Sequence, residues 1–280
     1  MAQDLSNFIS EVWSQKLTAL LDKSGVMMQC VNRNYEGQIK SEGDTVHIRS
    51  FGDVTVKDYE GQITYDDLTS PKNTLVIDQK KYFAFKVDDI SKAQSNTDIM
   101  AGYIERAKVA IDLAKDSFLL GKHVDVPAAS TVGTVETPIA LTKDNIYTNF
   151  VAVAKALKKA NATASGQKPW IVINPDIEAL LIQAPEFIQA NQTGDKTLKE
   201  GSIGRIAGLD VLVCTNFEAT AGKYYVLAGT NDAVTFASQV VEIESLRLHD
   251  SFDTAVRGLY VYGAKTVQDA ALAKLICTVS

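Results

Sequence analysis

Residues 44–90 hold the pattern that most restricts what this chain can become. In DTVHIRSF, Val46 and Ile48 alternate with His47 and Arg49; in KYFAFKV, Phe83, Phe85 and Val87 alternate with Ala84 and Lys86. A two-residue apolar period belongs to a strand with one buried face. Between the two runs lies VTVKDYEGQITYDDLTSPKNTL, polar, with Gly61 and Pro71. The pattern predicts a β-hairpin over 44–90 with a large hydrophilic tip. Such a tip has little apolar surface to lay on its own monomer, so it is expected to project and to be covered by neighbours.

Strand-rich sequence returns at the far end, in TAVRGLYVYG and ALAKLICTVS, and the middle of the chain reads as α/β. The clearest helix is predicted over 97–120. Ser95 or Thr97 can cap it, and Asp98 sits near the positive end of its dipole. Ile99, Tyr103, Ala107, Ala110, Ile111, Ala114 and Phe118 form the expected buried stripe. Glu105, Lys108, Asp112 and Lys115 alternate in sign on the expected outer face, and Gly121 ends the helix. A second helix is predicted over 144–160, with Ile146, Phe150, Val153, Ala154 and Leu157 inward.

Trp170–Ile173 reads as a short buried strand. Asn174, Pro175 and Asp176 then supply a cap, a first-turn proline and an acid for a helix through Leu181. NQTGDKTLKEGS reads as a polar surface loop, and strands are expected at 209–214, 224–228 and 233–237. GKHVDVPAASTVGTVETPIALT, with its prolines, glycines and small residues, reads as a connection and the best candidate for a domain boundary. At the front, Leu5, Phe8, Ile9, Val12, Trp13, Leu17, Leu20 and Leu21 share one face of an amphipathic helix over 5–21. That helix either docks on its own core or forms an arm on a neighbouring subunit; Gly25 is its expected stop. The simplest topology inserts residues 122–245 into a domain built from both chain ends.

Composition narrows the function classes. With 46% hydrophobic and 22% charged residues, the chain has the means to pack a core. No stretch approaches the roughly 18 apolar residues of a membrane-spanning helix. MAQDLSNFISEVW carries Asp4 and Glu11 where a signal peptide carries Lys or Arg, so neither secretion by a cleaved signal nor a membrane anchor is expected. Cys30, Cys214 and Cys277 lie far apart without paired spacing and read as buried thiols in a reducing compartment. A net charge of −6 argues against a dedicated nucleic-acid binder, though not against a protein that encloses nucleic acid.

EGSIGRIAGLDVLVCTNF, residues 200–217, raises the question of a phosphate-binding loop, because Gly201, Gly204 and Gly208 crowd together there. The spacing is G-x-x-G-x-x-x-G, no Gly-Lys-Ser/Thr follows, and a strand comes next where a dinucleotide site needs a helix. The glycines therefore read as a turn into a strand, with Gly204 as the turn residue. His47, His123 and His249 show no ligand spacing, and neither H-E-x-x-H nor G-x-S-x-G occurs. Adjacent acids on a strand or its exit point opposite ways, so Asp66–Asp67 and Asp88–Asp89 are poor acid–base partners. Lys155, Lys158 and Lys159 read as a solvated helix face. No catalytic, cofactor-binding or metal-binding residue is expected.

Taken in order, an arm, a long protruding hairpin, a long helix, an inserted α/β region and returning strands resemble the major capsid protein of tailed double-stranded DNA bacteriophages. The wording is similar too. GDTVHIRSFGDVTVKDY and LVIDQKKYFAFKVDDISKAQS resemble that family's extended-loop strands. INPDIEALLI and GSIGRIAGLDVLVCTNF resemble its axial domain, and HDSFDTAVRGLYVYGAKTVQDAALAKL its closing peripheral strands.

The resemblance implies the α+β tailed-phage major capsid fold. Residues 1–43 would be the N-terminal arm and 44–90 the extended loop. Residues 91–121 and 246–280 would form the peripheral domain with its spine helix, and 122–245 the axial domain. It implies a non-enzymatic coat protein, self-assembling as hexamers and pentamers into an icosahedral head around double-stranded DNA. Its place would be the virion capsid, and the host cytoplasm during assembly, with no cofactor, metal or membrane. Some members begin with a scaffolding domain; this chain opens almost directly with its arm, so a separate scaffolding protein is expected, with a portal. The spacing between Val241 and Asp250 leaves no room for an added axial domain, and no Lys–Asn crosslink is predicted.

Subunit contacts are expected at Phe8 and Trp13 in the arm. In the loop they are expected at Lys57, Tyr59, Ile63, Tyr65, Asp66, Asp67, Leu68 and Lys72. The rival readings are a bacterial compartment shell of the same fold that encloses enzymes, and an α/β enzyme with no recognisable motif.

Overall fold

The computed structural model describes residues 25–34, 45–49, 56, 58, 72–88, 99–164, 166–185, 204–217, 219–247 and 253–279. The elements run β1 (Thr45–Arg49), β2 (Lys72–Val76), β3 (Gln79–Asp88), α1 (Ile99–Leu120), β4 (Thr131–Val132), β5 (Ile139–Leu141), α2 (Ile146–Lys159) and β6 (Trp170–Ile173). They continue with α3 (Pro175–Ile182), β7 (Arg205–Ile206), β8 (Leu209–Val213), β9 (Tyr224–Gly229), β10 (Val234–Arg247), β11 (Asp253–Thr266) and β12 (Leu272–Val279).

A seven-stranded sheet of order β4-β12-β9-β6-β8-β7, with β5 also beside β12, forms the centre. Strand β6 is buried at all four positions because the sheet is covered on both faces. Ile171 and Ile173 pack with α2 and α3, through Phe150, Val153, Leu157, Ile177 and Leu181. Trp170 and Val172 point the other way, into a second core with Met27, Cys30, Leu119, Phe236 and Tyr262. The start of α3 follows the predicted chemistry: the Asn174 side chain accepts from the Ile177 N–H at 3.0 Å, with Pro175 in the first turn.

The long strands form a separate three-stranded antiparallel sheet, β10-β11-β3. This corrects the expected hairpin. KYFAFKV lies in β3 and pairs with β11, placing Phe83 opposite Gly258 and Phe85 opposite Val256. Its partner is decided by a missing side chain, since a Cβ on Gly258 would collide with the Phe83 ring. The true partner of β1 is β2, with Arg49 opposite Lys72 and Thr45 opposite Val76. Lys72 thus opens a strand and is not part of a tip. Polar Lys72, Asn73 and Thr74 hid that strand from a hydrophobic pattern. Ile48 of β1, Leu75 of β2 and Ile77 just after it are buried together, packed with Ala237 and Val261.

Helix α1 also departs from its predicted stripe. Ile111 and Leu119 are buried, but Tyr103 is 40% exposed, and Lys115, expected on the outer face, is only 8% exposed. Lys115 Nζ lies 3.1 Å from Asp112 and 5.6 Å from the centre of the Tyr260 ring, so its charge is paired and its stem covers apolar surface. Among the described residues of the glycine-rich stretch, the left-handed ones are Ala207 (φ 51°) and Gly208 (φ 87°), which turn β7 into β8. Both Gly204 and Gly208 have open space around them, but only Gly208 has a positive φ, so the turn belongs to Gly208. The helix expected over 5–21 and the loop NQTGDKTLKEGS lie outside the described residues.

Candidate assembly surfaces

The described part of the chain converges on Asp116, which is 1% exposed near the end of α1. One carboxylate oxygen accepts from the Met27 backbone N–H at 2.7 Å; the other accepts from the Cys214 thiol at 3.1 Å. Next to it, the Asn216 side-chain amide donates to the Leu113 carbonyl at 3.0 Å and to the Ser117 hydroxyl at 2.9 Å. The segment around Met27 comes close because Gly25 has no side chain: a Cβ there would stand 3.0 Å from the Asp116 carboxyl carbon. One buried acid therefore ties the N-terminal segment, the long helix and the central sheet together. An acid in this setting must be hydrogen-bonded to be tolerated at all. Sequence reading missed both residues. Asp116 falls in a helix rich in charges, and nothing in its neighbours distinguishes it from a solvated one.

The thiols are equally enclosed. Cys30, Cys214 and Cys277 are buried thiols, none of them in a disulfide. Burial, then the hydrogen bond to Asp116, pushes Cys214 from 9.0 up to about 12, and burial pushes Cys277 up to about 12. Cys30 is raised as well, chiefly by burial. These are packed side chains, not nucleophiles. Among the described residues no group of His, Cys, Asp and Glu is arranged to hold a metal ion.

The predicted contact residues Phe8, Trp13, Lys57, Tyr59, Ile63, Tyr65, Asp66, Asp67 and Leu68 lie outside the described residues. Val56 and Asp58, on either side of Lys57, are exposed, Val56 to 95%. Where the hairpin joins the long sheet it is firmly seated. Leu75 is 0% exposed, and Gly263 leaves room for the Val76 carbonyl where any Cβ would clash. Beyond that base, apolar side chains stand in solvent on two more surfaces: Tyr82 (78%) on β3, and Tyr103 and Ile104 on the first turns of α1.

A family model described as phage capsid protein matches residues 72–275. The chain belongs to the phage capsid protein family. Its fold agrees over almost its whole length with solved phage structures. One from Mycobacterium phage Che8 superposes with a TM-score of 0.78 at 28% identity, covering 96% of this chain and 97% of the other. The capsid structure of cyanophage P-SCSP1u gives 0.74 at 13% identity over 98% and 94%. The capsid of Ralstonia phage GP4 gives 0.69 at 12% identity over 97% and 95%. No curated protein sequence matches. The capsid protein thus has the tailed-phage capsid fold and is a structural coat protein, not an enzyme. It assembles with copies of itself into a shell, and its place is the virion capsid.

Proposed function

We propose that the capsid protein forms the hexamers and pentamers of an icosahedral head that encloses double-stranded DNA. A separate scaffolding protein and a portal would complete the assembly, in the host cytoplasm. In this reading residues 122–245 are the axial domain, residues 91–121 and 246–280 the peripheral domain, 44–90 the extended loop and 1–43 the arm, with β12 returning to pair in the central sheet and β10 running out into the long-strand sheet. The arm, through Phe8 and Trp13, and the loop, through Tyr59, Ile63, Tyr65 and Leu68, would reach adjacent subunits.

The observation that carries the proposal is the family match over 72–275, which spans the hairpin's second strand, the central sheet and the long strands. The charge agrees with it. A lining with net charge −6 per copy holds DNA without gluing to it. The test is nuclease treatment of purified virions in which this chain is the dominant band. The proposal predicts protected double-stranded DNA of uniform length inside the particles. Particles filled with an enzyme cargo and free of DNA would overturn it in favour of a compartment shell.

A further inference from the structure

The face of the central sheet that carries α2 holds a groove among the described residues. It has a volume of about 400 Å³ and is lined by Val151, Ala154, Lys155, Lys158, Lys159 and Ala207. Helix α2 already buries Ile146, Phe150, Val153, Ala154 and Leu157. Tyr147, Val151 and Lys155 follow at four-residue spacing on another stripe, where Tyr147 is 37% and Val151 41% exposed. The groove sits where α2 ends and β6 begins, because Ala207 turns β7 into β8, and Asp210 of β8 pairs with Trp170. Exposed Lys168 lies at the same end.

The opposite end of this face is acidic. There β6 runs into α3, whose first turn carries Asp176 and Glu178, and Asp144 stands just before α2. The registers bring these together. The Tyr224 hydroxyl donates to Asp176 at 3.2 Å, Tyr224 and Ile139 both pair with Cys277, and the Asn145 side chain donates to the Ala140 carbonyl. Lys143 and Lys223 also lie at this end and offset part of its charge. Helix dipoles favour acids at helix starts and lysines at helix ends, which accounts for the charges. They do not account for Tyr147 and Val151 standing in solvent. Fourteen residues of helix separate the two ends by on the order of 20 Å, so they cannot meet within one subunit.

We propose that the groove receives the acidic end of the same face of a second copy. Asp176 and Glu178 of that copy meet Lys155, Lys158 and Lys159, and its first α3 turn covers Val151. The contact is head to tail, so it repeats from copy to copy and closes a ring when the rotation allows. The charges set register and speed encounter, while the apolar stripe supplies the contact area. The inference rests on the shell reading above and names the surface by which neighbours in one ring recognise each other.

The experiment uses the full chain under the conditions in which the wild type forms shells. Lys158→Glu and Glu178→Lys should each lower shell yield on the order of tenfold, and the two together should restore most of it. Thermal unfolding of the unassembled subunit should stay unchanged for each; if Lys158→Glu fails that control, Lys155→Glu replaces it. Separately, Val151→Cys combined with Glu178→Cys should give disulfide-linked ladders from oxidised shells and none from free subunits. Normal yields for both single charge variants, with no ladder, overturn this inference and leave the coat-protein reading standing. A wild-type chain that forms no shell with its scaffold overturns both.

Discussion

A carboxylate at 1% exposure needs donors, and Asp116 draws its two from residues far along the chain, Met27 and Cys214. Neither the acid nor its partners could be found by periodicity, because the pairing exists only after three separate segments have folded. The glycine-rich stretch was half legible in the same sense. Its spacing excluded a nucleotide site and pointed to a turn, but which glycine turns depends on φ. Both glycines face open space, but Gly208 has φ 87° and Gly204 is not in the left-handed region. Gly208→Val should therefore cost about 1 kcal/mol or more in chemical denaturation, and Gly204→Ala should stay within about 0.5 kcal/mol of wild type. The thiols add a pH dependence. Cys214 and Cys277 ionise near 9.0 in an unfolded chain and near 12 in the folded one. Their contribution is complete below pH 9 and is lost as pH rises toward 12. Melting temperature should fall over that window, and Cys277→Ala should flatten part of the fall. An equally steep fall in that variant would assign it to other groups.

At the scale of elements, the helices and the central strands were readable because their signals are local. Asn174 and Pro175 start α3 as expected, and the 3.6-residue period of α2 matches its buried face. Strand pairing was not readable, since alternation gives a strand its faces and says nothing of its partner. Phe83 goes to Gly258 because that glycine has space for a ring. The β1–β2 ladder escaped notice because, among the described side chains of β2, Leu75 alone is buried. Lys115 was misplaced for a related reason: a helical wheel cannot see the Tyr260 ring it will cover. The proposed extended loop yields a prediction at this scale. If residues around Lys57 lie on a neighbour in the shell, brief trypsin treatment should cut after Lys57 in free subunits and spare it in assembled particles. Equal protection in both states would place the loop on its own subunit, and equal cleavage would leave it uncovered in the shell; either result contradicts the proposal.

For the whole molecule, the sequence was legible as a coat protein mainly through the order of its parts, and the family match bears that out. What a single chain cannot encode visibly is the set of surfaces that become buried only between copies. Tyr82, Tyr103, Ile104, Tyr147 and Val151 are each at least a third exposed on one subunit, although Tyr103 also packs on the Phe85 ring. Repeated over many copies, modest apolar contacts of this kind outweigh exposed ion pairs, each worth under about 1 kcal/mol. The most direct measurement is electron microscopy of the purified chain, expressed alone and with the proposed scaffolding protein. Closed shells with icosahedral symmetry are the expected result. Monomers or dimers alone under every condition, scaffold included, would contradict the account.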